Sequence, residues 1–108
     1  MKILIDVNSG FKRLSIIADK TKNIFTANGK NVNADIDRFI FRVCDTILKW
    51  PMLLESDIKN INDGTTVIIF YEYKSSKRKY KFINKLPNDY YKLEILLDEV
   101  KNCVEGHL

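Results

Sequence analysis

The densest collection of chemically capable side chains is a run of cations interleaved with aromatics. Lys74, Lys77, Arg78, Lys79 and Lys81 stand beside Tyr71, Tyr73, Tyr80 and Phe82. Cations at this spacing engage phosphates or carboxylates, and exposed rings stack on unpaired bases or anchor a protein contact. Tyr73 to Asn88 contains six cations and no acid, while the whole chain has a net charge of only +4, so the remainder is net acidic. The positive charge is local. A plainer account makes the lysines guards of an edge strand and the aromatics core. A second group is Tyr91 and Ile95, four residues apart on one helical face and off its apolar stripe, with Phe41 and Leu48 at the margin of an earlier stripe. Exposed aromatic and aliphatic side chains of this kind anchor protein contacts.

Catalytic constellations are missing. The single histidine, His107, is the penultimate residue, where it is poorly placed to activate a Ser or Cys nucleophile. Cys44 and Cys103 fall on apolar helical stripes or their borders, where a thiol acts as a small core residue. No CxxC, no HxxxH and no spaced acidic loop is present, so neither a metal nor a cofactor is implied. Asp35 with Asp37 suits the positive end of a helix, and Asp63-Gly64 suits a turn before a strand. Glycines at 10, 29, 64 and 106 make no phosphate-cradling loop.

Several elements must hold these residues in place. Lys2 to Val7 and Lys12 to Ala18 are apolar-rich runs separated by Asn8-Ser9-Gly10, which predicts a hairpin. Ile24 to Ala27, closed by Asn28-Gly29, is a shorter third strand. Asn33 is placed to cap a helix starting near Ala34, with Ile36, Phe39, Ile40, Val43, Cys44 and Ile47 recurring at spacings of three and four. Pro51 ends it near Trp50. Met52 to Asn62 lacks a period and is expected to be a connection with at most a helical turn.

Thr65 to Tyr73 is rich in β-branched and aromatic residues, and its apolar centre predicts a strand covered on both faces. Lys74 to Arg78 is expected to turn into a partner strand, Lys79 to Ile83, giving a basic-tipped hairpin. Pro87 with Asn88 or Asp89 as cap opens a last helix through about Val104, with Tyr90, Leu93, Leu97 and Val100 inward. The expected class is α+β, order β-β-(β)-α-β-β-α: a mainly antiparallel sheet of four to five strands with both helices on one face.

The chain has 108 residues, 45% hydrophobic and 30% charged, which fits a single domain spanning 1–108 and able to bury its own core. Two cysteines outside any loop framework point to a reducing compartment. Met1 to Asp6 is too short and too soon interrupted by an acid to be a signal-peptide core, and no run approaches a membrane span. A cytoplasmic protein without membrane contact is the expectation.

From Trp50 to Val104 the chain resembles small bacterial immunity proteins of toxin and contact-dependent inhibition systems. The residues carrying this are Trp50 closing a helix, Asp63-Gly64 opening a strand with Val67, Ile69 and Tyr71, then Tyr80, Asn84, Pro87, Tyr90 or Tyr91, Leu93 and Leu97. The resemblance implies an intracellular protein that caps the surface of a cognate toxin. Inhibitors of nucleic-acid-cleaving toxins tend to be acidic, mimicking phosphates, whereas this chain is basic where it is most charged, so its target patch should be acidic or apolar.

The first functional expectation is therefore a non-catalytic protein-binding module, an immunity or inhibitor protein, contacting its partner through Lys77, Arg78, Lys79, Lys81, Tyr91 and Ile95. The rival is a nucleic-acid-binding accessory protein in which the same cations meet phosphates and Tyr73 or Tyr80 stacks on a base. A homodimer through an exposed edge or the Tyr91 and Ile95 patch is also compatible with the sequence.

Overall fold

The computed structural model describes residues 1–10, 12–56 and 64–104. Asp57, Asp63 and His107 lie outside the described residues. Strands β1 (Lys2–Ser9), β2 (Lys12–Asp19), β3 (Ile24–Ala27) and β4 (Lys30–Asn31) precede helix α1 (Ile36–Ile47). Strands β5 (Leu53–Glu55), β6 (Thr65–Tyr73) and β7 (Ser76–Ile83) then lead to helix α2 (Tyr91–Asn102). The strands form one sheet in the order β4-β3-β2-β1-β6-β7-β5. Every pairing is antiparallel except that of β5 with β7.

The class is α+β as expected, but the sheet has seven strands rather than four or five. The added strands, β4 and β5, contain two and three residues, too few to show a two-residue period. Their neighbours create them: Asn31 pairs with Thr26, and Leu53 to Glu55 align with Lys81 to Ile83. Part of the expected connection after Met52 is thus a strand.

Alternation along the strands places Ile3, Ile5, Leu14, Ile16, Ala18, Val67, Ile69, Tyr80 and Phe82 on one buried face. Both helices pack on that face. Phe39 of α1 meets Phe25 of β3 with ring centroids 5.0 Å apart, and Trp50, just past α1, stands 5.8 Å from Phe82 and 6.0 Å from Tyr90. The helices run antiparallel. Arg42 reaches Glu99 at 2.6 Å, Asn33 N–H donates to the Cys103 carbonyl, and the Trp50 indole donates to Asp89 at 2.6 Å.

Helix boundaries differ from the sequence expectation for identifiable reasons. Asp35, not Asn33, caps α1, its carboxylate accepting from the Asp37 and Arg38 amides. α1 ends at Ile47, three residues before Trp50, and the Trp50 amide closes a turn on the Ile47 carbonyl. α2 begins at Tyr91 with no side-chain cap, because the Asp89 carboxylate accepts the Trp50 indole instead. The turn between β6 and β7 is also tighter than expected: Tyr73 pairs with Ser76, and Lys74 takes a left-handed φ of 54°. Lys77 and Arg78 consequently belong to the strand and not to a basic tip.

Candidate functional site

Since the helices occupy one face of the sheet, the other is left uncovered by any described helix or strand. Directly paired residues share a face, so the registers define its surface. One row runs Lys79, Phe70, Leu4, Ile17; the next runs Leu53, Lys81, Ile68, Asp6, Ser15. Phe70, Leu4 and Ile68 are half-buried by their neighbours, and Ile17 is 37% exposed. The expectation that β6 is covered on both faces is therefore corrected: Ile68 and Phe70 point to the open side. An apolar band crosses the centre of that side.

β7 borders this band with Lys77, Lys79 and Lys81, all exposed and, at two-residue spacing, all on the same side. None of the three is in an ion pair among the described residues. Lys77 stands opposite Glu72, whereas Lys79 and Lys81 stand opposite Phe70 and Ile68. The last two cations are the ones without an acid across the strand. Asp6 occupies the middle of the face, and its Oδ1 is buried without a hydrogen-bond partner among the described residues.

Strand alternation separates Arg78 from its lysine neighbours. It pairs with Tyr71 and projects to the helix side. Tyr80 and Phe82, at 1% and 0% exposure, are core, in line with the plainer account of those aromatics. Tyr73 remains 37% exposed, with the Lys74 ammonium 5.4 Å from its ring centroid.

Tyr91 and Ile95 are 58% and 52% exposed on the outer side of α2, across the molecule from the open sheet face. Phe41 and Leu48 are exposed on α1 but do not join them. They fall on the helical stripe of Asp37 and Cys44, which contact Lys20 and Tyr71, whereas α1 meets α2 through Arg42. The lysine strand and the α2 patch are two separate surfaces.

A third feature carries no sequence signal. Between α2 and the ends of β1 and β2 lies a cleft of about 620 Å³. Its apolar lining includes Val7, Leu14, Ala27, Leu86, Tyr90 and Leu97; Lys12, Arg13 and Lys30 contribute cations from the strand side, and α2 contributes Glu94, Asp98 and Lys101. The Ser9 and Thr65 hydroxyls, 3.0 Å apart, close one end. Burial, with the Glu94 carboxylate adding to it, pushes the Tyr90 phenol up to about 12. These residues come from well-separated segments, so only folding brings them together.

Cys44 is not activated by its surroundings. Burial pushes the Cys44 thiol up, away from thiolate, against a smaller opposing effect of its hydrogen bond with Tyr71. Cys103 is half-buried at the end of α2. Among the described residues no group of three or more His, Cys, Asp or Glu is placed to hold a metal, and no helix is long and apolar enough to cross a membrane. Compared with protein-family models, curated proteins and solved structures, the chain finds no match.

Proposed function

We propose that this protein is a non-catalytic protein-binding domain of the immunity or inhibitor kind, acting in the cytoplasm on a cognate partner such as a toxin domain. The observation that carries this reading is the sheet face that no described helix or strand covers, which sets an apolar band beside Lys79 and Lys81, neither in an ion pair among the described residues. A surface with an apolar centre and a charged border suits a protein partner that is itself apolar with an acidic rim. Strand spacings of about 4.8 Å and rises of about 3.4 Å per residue give the face an extent of roughly 650 Å². That approaches the roughly 800 Å² per partner of an ordinary specific interface.

The contact residues on this reading are Lys77, Lys79 and Lys81 with Phe70. Tyr91 and Ile95 form a separate second patch, and Arg78 is a supporting residue on the helix side. The nucleic-acid alternative has less behind it, since Tyr80 is buried and unable to stack on a base, which leaves Tyr73 as its one stacking ring of the two. The test is co-purification from the native host with wild type, with Lys77→Glu/Lys79→Glu/Lys81→Glu, and with Tyr91→Ala/Ile95→Ala. A stoichiometric protein lost only from the lysine variant, with unchanged circular dichroism, is the expected result. Equal capture by that variant would remove the sheet face from the site. Binding of single-stranded DNA that declines steeply with salt would favour the alternative.

A further inference from the structure

The cleft beneath α2 is a built cavity on the helix side, separate from the sheet face and independent of the function proposed for it. At about 620 Å³ it lies within the size range of small-molecule sites, and Leu14, Ala27 and Leu97 give it an apolar interior. Cations outnumber acids in its lining by four to two. The strands supply Lys12 and Lys30, neither in an ion pair among the described residues. The helix supplies Glu94 and Asp98, the latter 3.8 Å from its own Lys101.

Tyr90 adds a polar tip to this wall. It lines the cleft while only 6% exposed, and its hydroxyl makes no hydrogen bond among the described residues. Its ring is buried while its hydroxyl reaches solvent at the cleft wall, a polar tip open to a hydrogen-bond acceptor that enters. An acceptor in the cleft would satisfy it. The same acceptor, if anionic, would meet the two strand lysines at the mouth.

We propose that the cleft binds a small amphipathic carboxylate, its aliphatic chain against Leu14 and Leu97 and its head group between the Tyr90 hydroxyl and Lys12 and Lys30. No bond is made or broken, so the site is one of binding alone. Since each buried methylene is worth about 0.8 kcal/mol, affinity should rise about fourfold per carbon until the chain outgrows the cavity.

The protein carries its own reporter, the single Trp50, whose ring lies 6.0 Å from that of Tyr90. Octanoate, decanoate and decyltrimethylammonium, each below its micellar concentration, would be titrated into the full chain while Trp50 emission and calorimetric heat are followed. Saturable one-to-one binding of decanoate is expected, tighter than octanoate by about an order of magnitude and with decyltrimethylammonium at least tenfold weaker. Lys12→Glu/Lys30→Glu, exposed changes that leave the fold intact, should weaken decanoate at least tenfold, and Ala27→Phe should block it. Should Ala27→Phe fail to fold, methyl shift changes on wild type serve instead, and they should centre on Leu14 and Leu97. No saturable decanoate binding, equal binding of the cationic analogue, indifference to the lysine changes, or shifts centred away from the cleft would overturn the assignment.

Discussion

Phe82 and Phe70 sit in adjacent strands of one sheet, yet they live in different solvents. Phe82 faces the helices, fully out of water and against the Trp50 ring, whereas Phe70 faces the open side, half-buried between Lys79 and Leu4. The covered face is filled by two helices; among the described residues the open one has only its own neighbours for shelter. A sheet covered on one side normally turns polar residues to water on the other. Here Leu4, Ile68 and Phe70 depart from that rule in the two central strands. The difference identifies surface held in excess of what the fold needs, and such surface is where a partner would gain most by docking.

The comparison breaks most visibly through Phe82. Phe82→Ala should cost about 3–5 kcal/mol in urea denaturation, because it removes a ring from a close-packed core. Phe70→Ala should cost only about 1 kcal/mol, in keeping with a residue that is still partly solvated. A loss at Phe70 as large as that at Phe82 would mean that the open face is not open.

Trp50→Phe tests the covered side differently, by deleting the indole donor to Asp89 while leaving an aromatic ring in place. A hydrogen bond to a charged acceptor supports a loss of about 2 kcal/mol by the same denaturation assay, discounted toward 1 because Asp89 can recover water. Asp6→Val should have the opposite sign. It removes a buried acceptor that lacks a donor, so a gain of about 1 kcal/mol in denaturation midpoint experiments is expected. A loss would show that the carboxylate is satisfied in solution.

The smallest effect belongs to the ion pair between the helices. Hydrogen bonding from Arg42 holds the Glu99 carboxyl below its usual range, so Glu99 keeps its charge to lower pH when folded than when unfolded. Its contribution is therefore complete above the ordinary glutamate value of about 4.3 and fades as pH falls through the depressed one. Melting temperatures of wild type and Glu99→Gln should differ slightly at neutral pH and converge in acid. Both partners are substantially solvent-exposed, which keeps the difference small.

The long elements of this fold are legible in the sequence because each carries its own local pattern. β1, β2 and β6 are apolar, β-branched runs bounded by turn residues, β7 alternates lysines with Tyr80 and Phe82, and both helices repeat their apolar positions every three or four residues. Elements formed by a neighbour's demand are not legible. β5 is a strand because Lys81 and Ile83 offer it backbone partners, and α2 begins late because Asp89 serves an indole thirty-nine residues away in sequence. The site divides on the same line. Lys77, Lys79 and Lys81 share a face by simple two-residue spacing, and only the misjudged turn obscured this. The cleft, gathered from the hairpin end, the β3 region and α2, has no local pattern to betray it.

The two margins of the sheet are finished in unequal ways. At one, Val32 bridges to Val104, tying the border strand to the end of α2. At the other, β5 reaches only the last part of β7: the Lys81 amide donates to Met52, and the Ile83 carbonyl accepts from Ser56. By alternation the backbone groups of Lys77 and Lys79 point outward along the same margin, beyond the reach of β5. Another sheet arriving there would meet two ammonium groups before any hydrogen bond could form, and like charges would repel a second copy. Those side chains thus act as a colloidal guard, and acetylating them would be expected to shorten the time for which concentrated protein stays clear.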